Sequence, residues 1–470
     1  MQSLTGYRDS PRFAPDRLAG RLLRGMSRSF AASLLAAVVA FASSLLLARA
    51  LGSKQFGVFT YVSSWLNIAV LFATLGIDVA LIRFLPQYAA QSDWPAIRGL
   101  LRWSRWTTLG MALVVAAVLV LIGARLYLHD GSLIGLTLCS AGVSLPLLGL
   151  VAVNQGALQG FHLAGFSQVP RSVLRPLLLT LFVAVLWLAN GGSVSAPTAM
   201  ALNAVALAGA WWLGERWLRN AVPAAAASAR PHFQGSHWLR VAVPMLLVSS
   251  MGILLHETSV IVTALISGTT IAGVYSVAVR LSRMLAFGMT AGNSMVNPLI
   301  AELHARGELR RLQLTSSVAS SISLGVAVVL ALALVIGSPV VLGAFGEAFQ
   351  AGRGVVLILA AGQMFNAATG PVAGLLNMTG HHDRYARITV TISTLNLLGN
   401  VPGVMFWGIH GAAAVTSTLI AVQNIWAWYE VRRLLHIDST PLGFLRVHRL
   451  TPPLDVSPVV NPVVDHPLAA

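Results

Sequence analysis

The chain has 470 residues, 56% of them hydrophobic and only 10% charged, with a mean hydropathy of +0.75. Water-soluble domains carry about a quarter charged residues, so this composition excludes a soluble fold and leaves a bundle of apolar helices in lipid. The net charge of +16, from 30 Arg and Lys54 against 15 acids, is of a size met in nucleic-acid binding proteins, but its placement along the chain excludes that reading too.

Residues 1–29 are a basic segment whose length, and the long apolar run behind it, do not suit a cleavable signal. Arg17, Arg21, Arg24 and Arg28 fall on one helical face beside Leu18, Leu22 and Met26. That pattern fits an interfacial helix on anionic lipid, or a positive leader that only sets topology. Apolar runs long enough to cross a bilayer then follow at 30–51, 58–80, 107–126, 132–153, 174–190, 198–214, 241–266, 273–298, 315–337, 354–377, 388–407 and 411–429. These predict an all-α integral membrane protein of about twelve spans, with no polar stretch between Phe30 and Glu430 long enough for a soluble domain. The tail at 436–470, with Pro452, Pro453, Pro458, Pro462 and Pro467 and no helical period, is expected to be disordered.

Short cytoplasmic loops retain Arg and Lys, and one face of this chain holds nearly all of them. With the N-terminus inside, 25 of the 31 cations are cytoplasmic. Arg49, Lys54, Arg125 and Arg353 lie on the outer side, and Arg280 and Arg283 lie within the eighth span. Both termini are therefore expected in the cytoplasm.

The halves correspond at an offset near 216 residues. Gly57-Val58-Phe59-Thr60-Tyr61 opens the second span and Gly273-Val274-Tyr275-Ser276 the eighth; Pro86 and Pro298 are expected to close them before basic loops. Gly156-Ala157-Leu158 recurs as Gly374-Leu375-Leu376, and Trp211-Trp212 answers Trp426 and Trp428. Six spans per unit is even, so two lobes, 30–220 and 241–435, share one orientation across a linker at 221–240 and enclose a central cavity.

Ionisable groups at membrane depth are costly and mark functional sites. Arg280 and Arg283, three apart on one helical face, suit an anionic substrate or an interfacial position. Arg171 and Arg175, four apart before Pro176, could meet a phosphate or simply follow the charge bias. Arg49 ends the first span in Leu47-Ala48-Arg49-Ala50-Leu51-Gly52 and reads on composition as an interfacial anchor. Glu257, preceded by His256, sits among Leu254, Leu255, Val260 and Ile261. A carboxylate so placed suits an ion- or proton-coupled carrier, and equally a structural ion pair with an arginine. Asp78, near the inner end of the second span, reads as structural with coupling as the alternative. The lone Cys139 excludes an internal disulfide and a thiolate metal site. Phosphate-loop, Gly-x-Ser-x-Gly and His-Glu-x-x-His patterns are absent, and His381-His382-Asp383 reads as a solvated turn, so no cofactor, metal or catalytic residue is expected.

Several segments, in order, resemble the polysaccharide-biosynthesis or O-antigen (Wzx-type) flippases of the multidrug/oligosaccharidyl-lipid/polysaccharide exporter superfamily. They are Ala48-Arg49-Ala50-Leu51-Gly52 with Phe56-Gly57-Val58-Phe59, Gly76-Ile77-Asp78 to Arg83-Phe84-Leu85, Gly273-Val274-Tyr275 with Arg280-Leu281, and Phe345-Gly346 to Leu376-Asn377-Met378-Thr379-Gly380. The resemblance covers most of residues 25–435 and implies transfer of an undecaprenyl-pyrophosphate-linked oligosaccharide between leaflets of the bacterial inner membrane by alternating access. It raises Arg49 to a substrate-binding candidate beside Arg280, Arg283, Arg171 and Arg175, with Glu257, His256 and Asp78 as coupling candidates. Implied partners are the lipid-linked oligosaccharide, membrane lipids, and the polymerase and glycosyltransferases of the pathway. A multidrug (MATE-type) exporter, a lipid II-type carrier, and a membrane polymerase or glycosyltransferase are the alternatives.

Overall fold

The computed structural model describes residues 15–161, 163–285, 296–297 and 299–444. Arg8, Arg12, Arg446, Arg449, Pro298 and the proline-rich end of the tail lie outside them. Among the described residues every regular element is helical, and nine helices are long and apolar enough to cross a membrane.

Two of the nine are hairpins. His382–Leu435 is interrupted at Gly408 (φ 56°, ψ −141°), and across it Asn396 donates to Thr416 at 3.3 Å and Gln423 to Thr389 at 3.4 Å. A straight helix would hold residues twenty apart about 30 Å from each other, so the chain folds back. Pro15–Thr74 is interrupted at Gly52 (φ 71°, ψ 167°). Ala40 shares a cavity with Arg283, while Asn67 bonds Glu257, which interacts electrostatically with the same arginine. A straight helix would separate Ala40 and Asn67 by about 40 Å. Only a residue without Cβ takes such backbone angles readily, so each turn needs its glycine. The eighth span begins as Thr269–Arg283 after Gly268 and completes twelve spans, six per lobe.

The third and ninth spans, Trp94–Asp130 and Leu309–Phe345, are 37 residues each. At about 55 Å they overshoot a hydrocarbon core of about 30 Å. Their outward faces, such as Leu113, Val118, Leu121 and Ile322, Val329, Ile336, are exposed apolar side chains that suit lipid.

The repeat is exact at several positions 216 residues apart. Gly52 matches Gly268 (φ 89°, ψ 159°), and Gly192 matches Gly408, again at positive φ. The Arg216 guanidinium lies 5.7 Å from the Trp212 ring centre and that of Arg432 lies 5.5 Å from Trp428. Gly57 and Gly273 match and also touch. A Cβ on Gly273 would stand 2.9 Å from the Gly57 Cα, and one on Gly57 would stand 2.1 Å from the Thr269 carbonyl oxygen. Equivalent residues that touch must straddle the pseudo-twofold axis, so the axis runs between these glycines.

Two expectations are corrected. Pro86 does not close the second span but lies inside the helix Ile77–Ala90; the chain breaks earlier, at Leu75 (φ 50°) and Gly76 (φ 75°). There the Ala242 carbonyl oxygen approaches to 2.4 Å of where a Cβ would sit on Gly76, leaving room only for glycine. The first residues of the tail are also ordered. Ile437, Asp438 and Ser439 are buried, Asp438 N–H donates to Gln313 Oε1 at 2.7 Å, Trp428 Nε1 donates to Asp438 Oδ1 at 3.0 Å, and Ser439 Oγ donates to the Thr369 carbonyl at 2.7 Å. Gln313 and Thr369 come from distant spans, which proline content does not reveal.

Candidate functional site

The lobes meet at the arginine-poor end of the bundle and again where the helix Ile77–Ala90 packs on the start of the seventh span. Beyond the Gly57–Gly273 contact, Phe56 packs edge-on against Phe349 (centroids 5.8 Å apart) and Phe41 against Phe345 (5.8 Å). Arg49 reaches the last turn of the ninth span, donating to the Gly343 carbonyl at 3.2 Å and to that of Ala344. These carbonyls lie in the last turn, where the i to i+4 ladder runs out and Gly343 is left with a bond from Gly346 N–H at 3.1 Å; they carry the negative end of the helix dipole, so a guanidinium caps them well. Arg49 is thereby held across the lobe boundary and is not among the residues that line the cavity.

Behind this contact, between the first and eighth spans, lies a cavity of about 260 Å³ lined by Ala37, Phe41, Ser44, Arg280, Arg283 and their neighbours. Within Thr269–Arg283, Ala272, Gly273, Val274, Tyr275, Ser276, Val277 and Ala278 are buried on all sides against other spans, while Arg280 and Arg283 at its end remain exposed on the cavity side.

The other candidates gather around these two. Glu257 interacts electrostatically with both Arg280 and Arg283, and Asn67 from the first lobe donates to Glu257 Oε1 at 3.1 Å. His256 lies near Arg283 in a small recess with Ser259, Tyr275, Gln363 and Thr416. Arg175 is within electrostatic reach of both Arg171 and Arg280, and its Nε donates to Asn203 Oδ1 at 2.9 Å. Arg171 in turn faces Asp78. A chain of charges, Asp78, Arg171, Arg175, Arg280, Glu257 and Arg283, thus runs from the first lobe into the second.

Local structure sets this up. Pro170–Leu174 forms a π-helical turn ahead of the helix Arg175–Ala189, an irregularity that often accompanies function. It sets the direction of Arg171 and Arg175 relative to the rest of their span. Asn67 and Asn203, the amides that orient Glu257 and Arg175, were not among the sequence candidates; each is a lone amide in mid-span, a signal weaker than a charge. Also unforeseen is the buried cluster of Ser259, Asn396 and Thr416 in the second lobe, with Ser259 Oγ and Thr416 Oγ1 3.1 Å apart.

Twelve spans in two matching lobes around a charged cavity define a membrane transporter. Residues 22–304 match the family of polysaccharide biosynthesis proteins, and the chain belongs to that family. No curated protein matches it. Among solved structures it is similar to an inward-facing multidrug resistance MATE family transporter of the MOP superfamily, at 12% identity over 85% of this chain and 94% of that one, with a TM-score of 0.71. An outward-facing MATE family transporter gives 13% identity, 88% and 97% coverage and a TM-score of 0.59. A MOP superfamily transporter from Pyrococcus furiosus, described as having a binding pocket of reverse polarity, gives 11%, 88% and 95%, and 0.58. These likenesses establish a shared fold.

Proposed function

We propose that the protein moves an undecaprenyl-pyrophosphate-linked oligosaccharide from the cytoplasmic to the periplasmic leaflet of the bacterial inner membrane, for surface or exopolysaccharide synthesis. The observation that carries this reading is the charge between the lobes, where Arg171, Arg175, Arg280 and Arg283 stand against Asp78 and Glu257. A pyrophosphate offers several acceptor oxygens to planar guanidinium forks, whereas an exporter of cationic drugs needs carboxylates in excess. Membership of the polysaccharide biosynthesis family supports the same substrate class.

Charge bias assigns the arginine-rich end, with both termini, to the cytoplasm. The contact of Arg49, Phe56 and Gly57 with the second lobe then closes the periplasmic side, behind which Arg280 and Arg283 line their cavity. The higher TM-score against the inward-facing structure agrees. Glu257, with His256 and Asp78, is the candidate for ion coupling, and the polymerase and glycosyltransferases of the pathway are the expected partners.

The test is Arg280→Ala and Arg283→Ala, with surface polysaccharide measured at equal protein level. Losing a charge-assisted contact to phosphate costs about 1.5–3 kcal/mol, so export should fall about 10- to 100-fold; wild-type export in both variants overturns the reading. Arg280→Lys should restore only part of it, because an ammonium cannot present the fork. One observation favours a second reading, an ion-coupled drug exporter: Glu257 is held beside His256 by Asn67. Gradient-driven efflux of a cationic dye from proteoliposomes, abolished by Glu257→Gln, would select it.

A further inference from the structure

A second, larger cavity, of about 600 Å³, opens at the arginine-rich end of the first lobe. Its charged lining is Arg102 and Arg105 of the third span, with Glu215 and Arg219 of the sixth; Trp106, Trp211 and Phe233 are among its apolar walls. No lining residue comes from the second lobe or from the first, second or fifth span, so the cavity lies apart from the one between the lobes. We infer that it binds the phosphate headgroup of an anionic membrane phospholipid.

Three features carry this. Glu215, itself buried, accepts from Arg105 Nη2 at 2.8 Å and from Arg219 Nε at 2.9 Å. One carboxylate therefore orients two guanidiniums, and with Arg102 the lining keeps a net charge of +2. Arg102 is exposed and the Arg105 side chain is 36% exposed, so their guanidiniums keep N–H donors free for an incoming acceptor oxygen beyond the one bonded to Glu215. The cavity also sits where a headgroup would be. Arg102 and Arg105 directly precede the apolar run of the third span, and Trp106, 72% exposed, stands beside them as interfacial tryptophans do. Basic pockets between spans at this level suit lipid phosphates, with acyl chains running down the exposed apolar face of the third span.

The test uses the full-length protein in phosphatidylcholine nanodiscs carrying rising fractions of phosphatidylglycerol, with retained lipid counted by native mass spectrometry after mild delipidation. Wild type should retain one phosphatidylglycerol in preference to phosphatidylcholine. Arg102→Gln, which leaves both Glu215 ion pairs in place, should weaken retention about tenfold, as should 0.5 M salt on a surface-accessible ion contact (order-of-magnitude expectations). Arg125→Gln, at the other end of the same helix, should change nothing. Equal retention in wild type, Arg102→Gln and Arg219→Gln, or equal retention of phosphatidylcholine, overturns the inference. So does displacement of the phosphatidylglycerol by equimolar undecaprenyl phosphate, which would make the cavity an entry port for substrate.

Discussion

Gly57 and Gly273 occupy matching places in the two lobes and touch; Ser64 matches Arg280, Asn67 matches Arg283, and neither pair agrees in chemistry. The first match lies on the pseudo-twofold axis, where the lobes must approach to backbone distance and anything larger than hydrogen collides with the opposite backbone. The second set lies where the lobes part. There the second lobe carries two cations at positions where the first has a hydroxyl and an amide, so the repeat holds where the lobes meet and is lost at the charged positions.

Gly57→Val and Gly273→Val should each abolish export, with a fall in thermal midpoint of similar size measured in detergent, because both drive a side chain into the opposite backbone. Overpacking of this kind costs about 1–3 kcal/mol or more, and a large loss in one variant with none in the other would break the symmetry of the contact. Arg280→Ala against Ser64→Ala tests the opposite rule: the first should lose export about 10- to 100-fold and the second stay near wild type. Asn67→Ala removes the donor to Glu257 Oε1. It should lower export about tenfold, at about 1–2 kcal/mol for a charged group left short of a partner. Gly52→Ala and Gly268→Ala should be mildest. A non-glycine residue at positive φ costs about 1–2 kcal/mol, visible as a matched few-degree fall in thermal midpoint with export retained.

The spans and the six-plus-six repeat were legible because a bilayer imposes a length on each apolar run and the duplicated glycines survive as letters. Gly52 and Gly268 appear at the right offset in the sequence as well as in the turns. The gathering of Arg171, Arg175, Arg280 and Glu257 was legible only as a set of suspects. Their proximity depends on the fifth and eighth spans each packing on the helix Pro15–Thr74, on a π-helical turn at Pro170–Leu174, and on two asparagines that carry no charge to betray them. Arg49 shows the limit from the other side: its place in a recognisable motif said that it matters, but only the geometry shows it spending its hydrogen bonds on the carbonyls of Gly343 and Ala344. Ile437 to Ser439 were hidden for a simpler reason, since their partners Gln313 and Thr369 lie over sixty residues away in sequence.

The glycine contact on the axis also bears on how such a molecule can arise. A six-span unit begins and ends on the same side of the membrane, so two identical copies can sit in parallel and meet through one shared glycine surface. Fusing them requires no change of topology, only a peptide that crosses from one copy to the next, which residues 222–234 supply here. Once the copies share a chain, each lobe can drift separately wherever the axis does not constrain it, and Arg280 and Arg283 can arise in one lobe where the other keeps Ser64 and Asn67.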